Sequence, residues 1–248
     1  MTNKVKIVEI EKADFKNPVL IEGLPDVGLV GTIATSFIVD SLGLREIAYV
    51  DSPLIPPAVQ LKHDRIIEPV TIYGNEKVVV LTSFVELPLI LLRSIVSEVL
   101  DWITKYKPSL MLSIGGIGDP RRIDLEKIGV VGITIDQKIR ELIKEVPDVN
   151  ILNEGVLSGP KAIVIREANK RRLPFLILLS QAFPNYPDPG AAAAVIDVIN
   201  RLLKLEIDVK PLLEKADEIK VSLRELMKKT ISAVAPTQSI RGAPTYIG

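Results

Sequence analysis

The chain has no cysteine and a single histidine, His63. Disulfides and thiol nucleophiles are thereby excluded, and neither a zinc site nor a Cys–His pair has the ligands it needs. A cysteine-free chain fits a reducing compartment, so a cytoplasmic location is expected. An excess of one charge is also missing. Lys plus Arg equals Asp plus Glu at 31 each, so no global field attracts nucleic acid or an anionic membrane. The longest apolar stretches, 87–92 and 173–179, fall far short of the roughly 20 residues a membrane-spanning helix needs. The N-terminal Met1-Thr2-Asn3-Lys4 lacks a signal-peptide core. Neither nucleic acid nor a membrane is therefore an expected partner.

A catalytic constellation is lacking as well. Neither Ser83 nor Ser113 sits in a Gly-x-Ser-x-Gly elbow. Asp119, Asp124 and Asp188 have no diagnostic spacing, which leaves them surface or capping roles. His63 lies in the charged stretch Lys62-His63-Asp64-Arg65 and reads as the tip of a hairpin. The expectation is no enzyme, no metal and no cofactor.

What is present is a chain of 248 residues, 47% of them hydrophobic, enough to bury the core of one large α/β domain. Rich in charge and in Ile, Val and Leu, and poor in Gln, it has the composition associated with thermophiles. The apolar run Val19, Leu20, Ile21 leads into Gly23-Leu24-Pro25-Asp26-Val27-Gly28-Leu29-Val30-Gly31, and an apolar helix follows from Gly28 to Leu42. Strand, glycine turn and helix in that order place backbone N–H groups at a helix N-terminus, where anions bind. The glycine spacing matches neither the dinucleotide fingerprint nor the P-loop, so the turn indicates the fold class rather than a ligand.

Further strands are expected at 5–10, as an edge, and at 47–51, 109–114, 130–135, 151–152 and 175–180. Segments 58–62, 67–73 and 77–83 read as a meander with a hairpin at Gly74-Asn75. Helices are expected at 88–105, 137–145, 160–170 and 190–203. The alternation implies a three-layer α/β/α core over 1–207, with a mainly parallel mixed sheet.

A helix is expected over 208–233, capped by Asp208 and carrying Val209, Leu212, Ala216, Ile219, Leu223 and Leu226 at three-four spacing. Burying six such side chains gives on the order of 10 kcal/mol. Ordering about twenty residues costs roughly 1–2 kcal/mol each. The helix must therefore lie on the body or on another subunit, with Leu212, Ile219, Leu223 and Leu226 as its seam. Residues 234–248 lack periodicity and carry one charge, Arg241, as a flexible tail would.

Gly115-Gly116-Ile117-Gly118-Asp119-Pro120-Arg121-Arg122 follows the carboxyl end of an expected strand, where α/β folds bind ligands. Gly115, Gly116 and Gly118 would let the backbone approach a phosphate that Arg121 and Arg122 could clamp. The same residues also suit a tight turn followed by two solvated arginines.

Taken together, several segments resemble the archaeal branch of the proteasome-assembly-chaperone family. They are Gly23-Leu24-Pro25 through Gly28-Leu29-Val30-Gly31, Gly115-Gly116-Ile117, Gly155-x-x-Ser158-Gly159-Pro160 and Pro187-Asp188-Pro189-Gly190-Ala191-Ala192, in that order across about residues 18–205. The resemblance implies a fold related to nucleoside phosphorylases without their catalysis, in a homo-oligomeric, ATP-independent chaperone or proteasome-associated factor. It further implies docking on proteasome α-subunits through a C-terminal hydrophobic-Tyr-any residue motif. This chain ends Pro244-Thr245-Tyr246-Ile247-Gly248, with its tyrosine third from the end. One residue of register moves the tyrosine relative to the terminal carboxylate by roughly 3.3–3.6 Å in an extended tail, enough to lose a hydrogen bond. Thr245, Tyr246, Ile247 and Gly248 are the expected partner-binding residues, with either the α-subunits or a paralogous chaperone as partner. The alternatives are a scaffold paired with a paralogue and a phosphate- or nucleotide-binding enzyme acting at 115–122.

Overall fold

A computed structural model describes residues 5–12, 14–62 and 64–234, with side chains in the last helix through Glu225. Nine strands form one mixed sheet among these residues. The four adjacent strands at its centre are parallel: β7 (Val78–Ser83), β2 (Val19–Gly23), β8 (Leu110–Gly118) and β11 (Phe175–Ala182). They are the most continuously apolar strands, as burial on both faces requires.

Antiparallel pairings extend the sheet on both sides. β6 (Val70–Gly74) pairs with β7, β3 (Arg45–Asp51) with β6, and β1 (Lys6–Glu9) with β3 at the edge. At the far side β9 (Val130–Ile133) runs antiparallel to β11, and β10 (Val149–Ile151) is parallel to β9.

Helices cover both faces. One layer comprises α1 (Val30–Ser41), α3 (Gln137–Lys144) and α5 (Pro189–Leu203), whose buried side chains share a core with Ile21, Leu112 and Leu178. The other comprises α2 (Leu89–Thr104) and α4 (Pro160–Lys170), packed over Leu20, Met111 and Ile177. Consecutive strand residues thus point to opposite cores. The three-layer α/β expectation holds. α6 (Lys210–Val234) leans on α5 through Leu212, which is buried, and Ala216.

Three local expectations are corrected. The first helix begins at Val30 rather than Gly28, because Gly28 and Leu29 have φ of 67° and 50°, outside the right-handed helical region. The expected strand at 67–73 is two strands interrupted at Glu68-Pro69. β5 (Arg65–Ile67) pairs with β4 (Gln60–Lys62) in a separate two-stranded sheet, while β6 joins the main one. A proline has no N–H to give a ladder, and here it divides the run. Finally, Gly115, Gly116 and Gly118 are not a turn. β8 continues through them, paired with Leu179, Ser180 and Ala182 of β11.

Candidate functional site

The carboxyl ends of β2 and β8 and the first turn of α4 enclose a buried ionic cluster. Glu22, the penultimate residue of β2, is 1% exposed. Its Oε1 accepts from the Leu24 N–H at 2.8 Å, and its Oε2 accepts from the Ser113 hydroxyl. Lys161 Nζ lies 3.2 and 3.1 Å from the two Glu22 oxygens and 4.0 Å from Asp26 Oδ2. Asp26 in turn accepts from the Gly116 N–H at 2.9 Å and the Gly31 N–H at 3.3 Å. One lysine thus serves two carboxylates whose remaining lone pairs are taken up by backbone N–H groups and a hydroxyl, as buried charges require. Burial pushes Asp26 up to about 6, with Lys161 and the two N–H groups pulling the other way.

The cluster explains the glycines of β8. A Cβ on Gly115 would stand 2.1 Å from Asp26 Oδ2 and 2.7 Å from Lys161 Cε, and one on Gly116 would stand 2.3 Å from the Val27 carbonyl oxygen. Glycine makes room for an internal carboxylate at 115 and for the Val27 carbonyl at 116, and the Gly116 N–H, expected to face a phosphate, donates to Asp26. The sequence did carry a signal. Lys161 directly follows Pro160 in the first turn of a helix, where positive charge is disfavoured, and Glu22 stands in an apolar strand. Each anomaly is relieved by the other, with Asp26, the Leu24 N–H and the Ser113 hydroxyl completing the cluster.

A second buried pair lies at the start of α5. Asp188, fully buried, accepts from the N–H groups of Ala191 at 3.0 Å and Phe183 at 3.1 Å, and from Arg122 Nη2 at 3.0 Å. Arg122 Nε sits 2.8 Å from Asp188 Oδ2, and its guanidinium lies 5.0 Å from the Phe183 ring centroid. The capping role expected for Asp188 is present, but it is performed in the core rather than on the surface. Asp119 accepts from the Arg121 N–H at 2.9 Å and from Gln181 Nε2 at 2.9 Å.

The expected anion-loop residues are therefore dispersed. Gly115 and Gly116 line the Glu22–Lys161–Asp26 cluster, Gly118 closes β8, Arg121 is exposed, and Arg122 is buried against Asp188. On α6, Leu212 is buried while Ile219 and Leu223 are half-buried. Leu213, Ala216 and Ile219 face Phe183 and Leu125 across a cavity of about 260 Å³. The Leu226 side chain, His63, and the tail residues Thr245, Tyr246, Ile247 and Gly248 lie outside the described residues. No group of three or more His, Cys, Asp or Glu side chains suited to a metal occurs among the described residues, and no described helix is long and apolar enough to cross a membrane.

Comparison with known proteins places this architecture. A model of the PAC2 family matches residues 20–227. An uncharacterized protein of Methanocaldococcus jannaschii is 27% identical over 247 residues, covering 100% of both chains. The crystal structure of Pyrococcus furiosus PbaA, described as an archaeal homolog of proteasome-assembly chaperone, superposes with a TM-score of 0.81 at 31% identity, over 92% of this chain and 94% of that one. Pyrococcus furiosus PbaB, described as an archaeal proteasome activator, gives a TM-score of 0.80 at 22% identity, over 91% and 100%, a likeness of fold.

Proposed function

The chain belongs to the PAC2 family, and from that premise we propose that it is a non-enzymatic, homo-oligomeric chaperone-like protein that takes part in proteasome assembly or capping in the cytoplasm. The observation that carries the proposal is the likeness to PbaA, at 31% identity over 92% of the chain. The engagement of the Gly116 N–H by Asp26, and of Arg122 by Asp188, supports a binding protein over a phosphate-handling enzyme, since both groups are already matched within the chain.

The C-terminal residues Thr245, Tyr246, Ile247 and Gly248 are the proposed contact with the partner. Proteasome α-subunits are the first candidate, and a paralogous chaperone is the alternative. Native mass spectrometry of the full chain and of a version ending at Ala233, each alone and mixed with α-subunits, tests this. The expected result is a homo-oligomer that binds α-subunits only with its tail. An oligomer that ignores α-subunits in both forms overturns the tail contact and moves the search to a paralogue.

A further inference from the structure

The adjacent parallel strands β2 and β7 send the chain to opposite faces of the sheet. From β2 it enters α1 in one helical layer, and from β7 it enters α2 in the other. In open α/β sheets ligands bind in the crevice at such a point, beyond the carboxyl ends of the strands. Here α1, the carboxyl end of β7 and the start of β6 bound a cavity of about 140 Å³, over which the β4–β5 hairpin lies. A cavity of roughly 150 Å³ admits benzene, so this one has room for about six non-hydrogen atoms.

Its polar lining consists largely of acceptors. Thr71, which is buried, spends its one hydroxyl proton on the Glu68 carbonyl at 2.7 Å and so meets the cavity as an acceptor. The Asp40 and Glu68 carboxylates accept only. Lys62 Nζ of the hairpin lies 2.7 Å from Asp40 Oδ1, so the chain already seats one ammonium group on this wall. Glu68, half-buried, has no cation on its carboxylate among the described residues. The other cations nearby are engaged elsewhere. Arg45 pairs with Glu11 at 3.0 Å, and Arg65 acts on Glu46.

The lining therefore carries two carboxylates and one cation, a balance that lacks a single positive charge. Tyr73, also in the lining, feels the same potential. Burial first, and then Glu46 and Asp40, push its phenol up to about 12, and a potential that resists a phenolate favours a cation.

We propose that this cavity binds a primary ammonium group on a short alkyl chain, with Glu68 as its counter-charge. An ammonium offers three N–H donors and no acceptor, the complement of a lining that accepts. The hairpin is a two-stranded sheet, and an arrangement of that kind is marginal by itself. Its polar tie to α1 is the exposed Lys62–Asp40 pair, and exposed pairs hold weakly, so the hairpin can lift to admit the ligand.

The test is isothermal titration of the full-length protein with butylammonium chloride, and with butanol as its uncharged counterpart. Butylammonium should bind and butanol should not. Glu68→Gln should weaken butylammonium binding at least tenfold, as should Thr71→Val, which removes the hydroxyl acceptor. Glu214→Gln, which removes an exposed carboxylate of α6, should leave it unchanged. Melting temperatures identify a variant that misfolds, and the other cavity variant then decides. A blocked lysine, acetylated at its α-amino group and amidated at its carboxyl, distinguishes the sources of the ammonium. Tighter binding than butylammonium assigns it to a lysine side chain of a protein, and equal or weaker binding to a free amine. Absence of binding by both ammonium compounds overturns the proposal, and so does butylammonium binding that is unchanged in the folded cavity variants or matched by butanol.

Discussion

Asp26 is caught between burial, which favours its protonated form, and Lys161, which favours its carboxylate. Burial wins, and the group ionises at about 6 in the folded protein against 3.8 for a free side chain. Between those values the native state holds a proton that the unfolded chain has released. Stability from this residue is thus complete below pH 4, falls as pH rises through 6, and is level above. Two units correspond to about 3 kcal/mol. Glu167 behaves in the opposite sense. Burial raises it, but hydrogen bonds and charge from Lys170, Arg171 and Arg93 outweigh burial and hold it at about 2, so its contribution is lost only as pH falls toward that value. Urea midpoints at pH 4.5 and pH 7 should therefore diverge less in Asp26→Asn than in the wild type, and an unchanged difference would remove Asp26 as the source. Glu22, Asp26 and Lys161 are 139 residues apart at their extremes, and their union was not legible in the sequence. Glu22 in an apolar strand and Lys161 in the first turn of a helix are each out of place alone, but charge is paired by contact, and contact between β2 and α4 is decided by the packed sheet.

At the scale of the element, the start of α5 depends on Asp188. Its carboxylate caps the helix, ties Phe183 to it, and neutralises Arg122. Asp188→Ala removes a cap worth about 1 kcal/mol and leaves a buried guanidinium unpaired. Loss of one partner from such a pair costs roughly 3–5 kcal/mol. The denaturant midpoint should fall accordingly, and adding Arg122→Met should recover part of the loss by removing the stranded charge. A loss below about 1 kcal/mol would mean that Arg122 finds another partner. Helix positions were largely readable, because periodicity and caps are local. α2 and α4 lie within a residue of their expected limits. β8 was read four residues too short because three glycines in four positions signal a turn, whereas here two of them make room for Asp26, Lys161 and the Val27 carbonyl. Glycine reports a need for space or for freedom, and the sequence does not distinguish them.

For the whole molecule, the homo-oligomeric reading makes stability depend on concentration. If native copies associate and unfolded ones do not, mass action raises the melting temperature with protein concentration. A hundredfold dilution from tens of micromolar should lower it measurably, and calorimetry at several concentrations reads the difference directly. A melting temperature that does not move with concentration would argue for a monomer. The layered α/β plan was determined by the sequence itself, since alternating strand and helix periods with short connections admit few arrangements. So were the lack of thiol chemistry and the balance of charge, which follow from composition alone. The tertiary structure decided what the sequence left open: which carboxylate meets Lys161, that the Gly116 N–H faces a carboxylate of the same chain, and that Arg122 is neutralised by Asp188 in the core. These are relations between strands that lie side by side in the sheet but far apart in the chain, and only the closing of the sheet brings them within range of one another.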